Sequence, residues 1–373
     1  MKKPPALSQP ETRNRFFAAW TDFWFTPSDP IALSVLRVLA GIVFLYWLLP
    51  FAGDLQAFFG LGGWFDARAY AETSRLKELP PHLFTWSAAY WCGNNSTLLI
   101  VLYWLSLVAI VLFALGVATR LTSVLTWAAV VSFTANPAVA YDADPFLQML
   151  AFYLMLGHLF LGLQRPGQSP LALVLGPTRE TWILGGVWPR RCGALPPSIA
   201  SNLALRLLQI HFAIAMVATG LHKLQTSAWW SGLAPWFYLH PPFHTTLSEI
   251  RAYAPPNAEM SLNLYSLTTY AVLAWQIGFP TFAWRPWLRP LLLGGAAFGW
   301  LSTALAMQMP LVGPVLFVLC LAYVTPMEWR WLENKLAHLP LLDRLCGHES
   351  ASPARQGVKG GTRVGAITVG NRT

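Results

Sequence analysis

Residues 97–118 read TLLIVLYWLSLVAIVLFALGVA and contain no charged side chain. A run of this length is what an α-helix needs to cross the hydrocarbon core of a bilayer. Similar runs recur along the chain, which is 55% hydrophobic and 11% charged. So few polar side chains cannot cover a water-soluble globule of 373 residues. The sequence therefore predicts an all-α, polytopic integral membrane helical bundle.

The apolar runs predict about eight transmembrane helices. They lie at 31–52, 97–118, 121–138, 145–163, 201–222, 263–284, 290–308 and 311–325. Met309 and Pro310 leave almost no connection between the last two runs. These two are therefore expected to form two helices, one long broken helix or a re-entrant pair.

The basic residues predict the orientation. With the N-terminus inside, 18 of the 25 Lys and Arg residues fall on the inner side and five in the outer loops. This bias predicts both termini in the cytoplasm, most simply at a bacterial inner (cell) membrane. It also accounts for the net charge of +9 through topology and contacts with membrane lipid, without nucleic acid.

Three regions follow from this topology. Residues 1–30 are predicted to be a cytoplasmic N-terminal segment whose aromatic stretch 11–25 lies on the membrane surface as a helix. Residues 31–325 form the transmembrane domain, and residues 326–373 form a mostly disordered cytoplasmic tail. The outer loops 53–96 and 226–262 are long and aromatic.

Soluble-enzyme chemistry finds no support in the sequence. There is no P-loop, no GxGxxG, no HExxH and no GxSxG. The four cysteines lie far apart, without a CxxC pair or a His/Cys cluster, so no metal is expected. Whether the protein has a protein partner is left open by the sequence.

Charged side chains within the predicted spans each need a reason, because their insertion into a bilayer is costly. Arg37 is expected to extend toward the membrane surface or to be buried in the bundle and paired with Asp29. Lys223 closes the run HFAIAMVATGLHKL at the outer end of span 201–222, with His222 beside it. Lys223 either extends toward the surface or, partly removed from water, serves as a general base.

Two carboxylates, Asp142 and Asp144, precede the span 145–163 on the same outer side. An Asp-Pro pair is a common helix start, so a capping role and a catalytic role both remain open. Uncharged polar side chains within or at the ends of spans can hydrogen-bond between helices. They are Gln148, Gln276, Thr303 and Gln308.

Six segments in order resemble the HTTM family, the membrane domain shared with vitamin K-dependent gamma-glutamyl carboxylase. The first is FWFTPSDPIALSVLRVLAGIVFLYWLL, and the strongest is HFAIAMVATGLHKLQTSAWWSGLAPWFYL with its Gly-x-x-Lys-Leu…Trp…Gly pattern. The others are ALGVATRLTSVL, DADPFLQMLAFYLMLG, LAWQIGFPTFAW and GPVLFVLCLAYVTPMEW. The resemblance covers roughly residues 20–330.

The resemblance implies a lysine base that deprotonates a reduced naphthoquinone so that oxygen adds. In this sequence that base is Lys223, and His222, Asp142 and Asp144 would complete the catalytic group. A reduced quinone is the implied cofactor. The side chains expected to contact it are Trp229, Trp230, Thr303, Gln308 and Gln276.

This chain also departs from the family pattern. The carboxylase has an Asn-His pair where Asp142 and Ala143 stand here, and a family histidine falls on Thr303. Many bacterial relatives have Glu at the position of Gln276. The chain also stops soon after the membrane domain, so no lumenal substrate domain is expected. These differences favour a reaction on a quinol or related lipid over glutamate carboxylation, with a non-catalytic lipid- or quinone-binding or scaffold protein as the alternative.

Overall fold

The computed structural model describes residues 11–76, 86–161, 197–239, 258–305 and 308–336. Within these ranges the chain is helical and forms no β-strand, which confirms the all-α class. The helices are α1 (Glu11–Phe25), α2 (Ile31–Leu48), α3 (Leu55–Phe59), α4 (Ala67–Leu76), α5 (Ala88–Cys92), α6 (Ser96–Leu115), α7 (Thr119–Thr134), α8 (Asp144–Phe160), α9 (Ile199–Lys223), α10 (Ser227–Trp230), α11 (Ala234–Leu239), α12 (Ala258–Trp284), α13 (Arg289–Leu305), α14 (Val312–Leu321) and α15 (Pro326–Leu336).

A helix lies in each of the eight predicted apolar runs. By length and hydropathy, three helical stretches in the described ranges could each cross a membrane alone. They are α2 with the 3-10 turn that follows it (Ile31–Ala52), α6 and α9. A bent pair, α14 with Pro326–Leu332 of α15, turns through 104° and passes the same test jointly. Three apolar helices are compatible with an integral membrane protein.

Sequence neighbours form most of the helix contacts. Helices α2, α6, α7, α8, α9 and α12 pack in that order, and α14 packs against α2 and α8. Large buried rings fill the centre of this bundle, among them Phe44, Phe113, Phe212 and Phe279. Helices α2 and α6 approach closely at Gly41, where an added Cβ would lie 2.5 Å from the Cβ of Ala114.

Three short helices, α3 to α5, fill the described part of the connection 53–96. Asn136 donates a hydrogen bond of 2.8 Å to the carbonyl of Phe58, and Ser87 donates one of 2.7 Å to the carbonyl of Ser132. The rings of Tyr70 and Tyr90 stack 4.4 Å apart. Burial raises the pKa of both hydroxyls above the ordinary value. This connection is therefore packed onto the end of the bundle.

The opposite end of the bundle holds α1 against α9. Asn202 donates hydrogen bonds to the carbonyls of Phe23 and Trp24, at 2.9 and 3.0 Å. The other face of α1 carries exposed aromatic rings, including Phe16, Phe17 and Trp20. An aromatic face of this kind suits the membrane–water interface.

The expected pairing of Arg37 with Asp29 is wrong. Asp29 pairs with Arg330 instead. Arg37 is fully buried, as one of the two expectations had it, and its three side-chain nitrogens have no hydrogen-bond partner among the described residues. Asp29 lies at the end of the bundle, next to Arg330, which is distant in sequence.

The chain divides into two compact units, Met1–Arg330 and Trp331–Thr373. The first unit holds the bundle. The boundary lies five residues beyond the 325/326 division expected from the sequence, and the second unit is described only over 331–336. The predicted 164–198 connection lies almost entirely outside the described residues, as does most of the tail.

Candidate functional site

Helix α9 carries Lys223 as its last residue. Its first turn is capped by Ser198, whose hydroxyl oxygen accepts the N–H of Ala200 at 3.2 Å. After Lys223 the chain turns back on itself, because the N–H of Gln225 bonds the carbonyl of His222 at 3.0 Å. The turn directs the following aromatic segment across the end of α9.

Lys223 lies over one predicted partner, Trp229, and feels the charge of another, Asp142. Its Nζ lies 5.3 Å from the ring centroid of Trp229. It also interacts electrostatically with Asp142, which is exposed in the turn ahead of α8. Partial burial disfavours the ammonium form of Lys223, whereas the indole face and the carboxylate favour it. The structure therefore brings together a cation, an aromatic face and an anion.

The Trp-rich segment is fastened to α12. Gly232 has φ +73°, a conformation that favours glycine, and its carbonyl accepts a hydrogen bond of 3.0 Å from Thr269. Tyr270 donates a hydrogen bond of 2.8 Å to the carbonyl of Trp230. These two bonds hold α10 and the turn after it in place, and so set the position of the Trp229 ring.

Asp144 is buried at the start of α8, with 1% of its surface exposed. Its Oδ2 accepts the N–H of Tyr141 at 2.9 Å, from the turn before the helix, and no side chain caps the start of α8. Its Oδ1 has no hydrogen-bond partner among the described residues. One turn further on, Gln148 donates a hydrogen bond of 2.7 Å to the Thr134 hydroxyl. Asp144 also feels the charge of Asp142.

Gln276 lies on α12, where this helix meets α9. An added Cβ on Gly220 would lie 3.1 Å from the Cβ of Gln276, so the two helices touch one turn before Lys223. Gln276 is 9% exposed, and its Oε1 has no hydrogen-bond partner in the part of the chain that the structure describes. The oxygens of Asp144 and Gln276 are thus two buried acceptors with unused capacity.

The remaining predicted residues make no described contact with the side chain of Lys223. His222 is exposed beside Lys223, and the exposed Trp230 donates its indole N–H to the carbonyl of Leu224. Thr303 bonds the carbonyl of Trp300 at 3.0 Å within its own helix, and Gln308 is exposed in the turn after α13. No hydrogen bond, ion pair or ring contact joins Thr303 or Gln308 to Lys223 in the described ranges.

Sequence reasoning missed Thr269 and Tyr270, which hold the Trp-rich segment. Both lie on the predicted span 263–284. The only sequence signal for this role was the presence of two adjacent hydroxyl side chains within an apolar run. Their partners are backbone carbonyls of Trp230 and Gly232, which no sequence pattern reveals.

The described residues include no group of three or more His, Cys, Asp or Glu side chains that could hold a metal ion. No protein-family model matches the chain, and neither a curated protein nor a solved structure matches it. The chemistry of the site must therefore be argued from its own residues.

Proposed function

We propose that this protein is an HTTM-type membrane enzyme that acts on a lipid-soluble quinol or related lipid, with Lys223 as general base. The observation that carries the proposal is the position of Lys223 over the Trp229 ring at the end of α9, where Asp142 also acts on it electrostatically. The site lies at the end of the bundle that the charge bias predicts to face outward. The bundle itself is proposed to cross the bilayer about eight times.

The proton transfer assigns a role to each charged partner. The neutral amine of Lys223 accepts the hydroxyl proton of the quinol, leaving a quinolate anion and an ammonium ion. Trp229 and Asp142 stabilise that ammonium by a cation–π contact and by charge. The uncompensated acceptors of Asp144 and Gln276 would receive hydrogen bonds from a bound ring compound. Oxygen then adds to the quinolate, as the resemblance implies.

A second function has its own support. Trp229 and Asp142 both favour the protonated lysine, and a lysine that stays protonated cannot take a proton. In that case the site binds a quinone or lipid without turnover, and Lys223 serves as an electrostatic contact.

The deciding experiment measures oxygen-dependent conversion of a reduced naphthoquinone by purified protein in one lipid mixture, with epoxide and simple oxidation products separated by mass spectrometry. Wild type should form epoxide, and Lys223→Met should not. Lys335→Met is the matched control, because Lys335 also lies over an indole, 5.0 Å from the Trp331 ring, but in α15.

Each result has one meaning. Loss of epoxide in Lys223→Met alone supports the general base. Equal epoxide in all three proteins removes Lys223 from the chemistry. If none forms epoxide but wild type binds the quinone more tightly than Lys223→Met, the binding function is correct.

A further inference from the structure

Two arginines lie at the opposite end of the bundle from Lys223. Arg206 lies two turns into α9, and Arg289 begins α13; the two guanidinium groups interact electrostatically. Like charges repel, so this placement is costly unless an anion lies between or beside them. The aromatic face of α1 lies at the same level, with the ring of Phe23 4.6 Å from the Arg206 guanidinium carbon.

The acceptors around the two arginines are already used. Glu328 accepts from Arg289 through Oε1 and from Thr325 through Oε2. Gln209 accepts from Arg206 through Oε1 at 3.1 Å, and its backbone carbonyl accepts the hydroxyl of Tyr323. Each of these oxygens therefore already accepts at least one hydrogen bond.

Three donors in this region lack an acceptor. The Nε atoms of Arg206 and Arg289 and the indole Nε1 of Trp284 are buried and have no hydrogen-bond partner among the described residues. Trp284 is tied to the same cluster, because its ring packs 5.3 Å from that of Tyr323. Buried donors without acceptors cost free energy, so an unoccupied cluster of this kind is unfavourable.

We propose that Arg206, Arg289 and Trp284 form a binding site for one phosphate oxyanion. Two guanidinium charges against the single carboxylate of Glu328 leave one positive charge, which a phosphodiester would neutralise. Guanidinium groups match the oxygens of phosphate in geometry, and an indole N–H adds a neutral donor. The site does not depend on the reaction proposed for Lys223.

The expected source of the phosphate is a phospholipid headgroup. Arg289 begins one helix and Trp284 ends another, at the level of the aromatic α1, where headgroups lie in a bilayer. A glycerol headgroup suits the site better than a choline headgroup, because choline would add a third cation. Free phosphate carries the same oxygens and is the alternative source.

The test uses the full chain in detergent. Native mass spectrometry counts bound lipid, and thermal unfolding reports affinity for added phosphatidylglycerol, phosphatidylcholine, diacylglycerol and inorganic phosphate. Wild type should retain one phosphatidylglycerol, and Arg206→Gln should bind it about tenfold more weakly, since it loses one charge-assisted contact. Arg285→Gln is the matched control, because Arg285 is exposed in the same connection between α12 and α13.

Trp284→Phe keeps the ring against Tyr323 and removes only the indole donor, so weaker binding by this variant supports the site without a packing defect. Protection by inorganic phosphate that matches the lipid and also needs Arg206 supports the site and assigns free phosphate as its ligand. Equal binding by Arg206→Gln and Arg285→Gln, or equal protection by diacylglycerol, overturns the proposal. Activity toward quinol is measured separately, so failure of either proposal leaves the other intact.

Discussion

Asp29 and Arg330 form an ion pair across 301 positions of sequence, in which the guanidinium donates two hydrogen bonds of 2.8 Å, one to each carboxylate oxygen. Oδ1 of Asp29 also accepts the backbone N–H of Ile31 at 3.0 Å, at the start of α2. The pair therefore fastens the first long helix of the bundle to α15.

Removing this pair should lower stability modestly. Both side chains are partly exposed, so we expect Asp29→Ala to reduce the free energy of unfolding by about 1 kcal/mol. Chemical unfolding in a fixed detergent measures the change. Glu72→Ala, which removes the exposed pair with Arg75, should change it by less than half as much. If both variants lose the same free energy of unfolding, the paired hydrogen bonds between Arg330 and Asp29 add no stability.

Arg37 should be a stability cost to the folded chain. It is fully buried without a described hydrogen-bond partner, and an isolated charge in an apolar interior is unfavourable. We expect Arg37→Met to raise the free energy of unfolding by about 2 kcal/mol. A loss of stability would instead show that Arg37 makes a net favourable contribution to the fold.

Gly41 should not tolerate a side chain. Its added Cβ would lie 2.5 Å from that of Ala114, so Gly41→Ala must push α2 from α6 and should cost about 1–3 kcal/mol. Gly294→Ala is the control, because nothing lies within 4 Å of an added Cβ there and alanine favours helix. The thermal midpoint should fall for the first variant and stay level or rise for the second.

The stability of α4 should depend on pH through Asp66. Its Oδ1 accepts the N–H groups of Ala69 and Arg68, at 2.9 and 3.1 Å, and these hydrogen bonds hold the pKa of Asp66 below its ordinary value. A depressed pKa stabilises the fold above the ordinary aspartate pKa, and this stability is lost as the pH falls through the lower, folded value. The loss should therefore occur below about pH 4.

Hydrogen exchange of the α4 amides provides the measurement. Asp66→Ala should raise exchange about fivefold at neutral pH, because a helix cap is lost. Asp66→Asn should preserve protection, since asparagine also caps, and should remove the acid-dependent loss that wild type shows. An identical pH response in wild type and Asp66→Asn would exclude this carboxylate as its cause.

The helices were largely predictable, because apolar runs report them directly. All eight predicted runs contain a helix, yet α14 is ten residues long and α13 seventeen, so length alone does not make each a crossing. Helices α3 to α5 were not predicted, because α3 and α5 have only five residues each and the ten-residue α4 lies outside the apolar runs. In the fold, α3 packs against α6, α5 packs against α6 and α7, and α4 packs against α5.

The site was predictable in part. Lys223 and Trp229 are six residues apart, so a turn after α9 suffices to join them. Asp142 interacts electrostatically with Lys223 because it lies in the turn before α8, and α8 packs beside α9. The partner of Asp29 was not predictable, because it depends on Arg330 returning from the far end of the chain.

The short α14 changes how a bilayer would be organised around this protein. Ten residues rise about 15 Å, half the thickness of the hydrocarbon core. The turn before it contains the exposed Gln308 with φ +53°. Backbone that is not helical is tolerated at membrane depth only beside protein or water. In a bilayer, α14 alone would therefore not cross the hydrocarbon core, and the turn at Gln308 would need protein or water beside it.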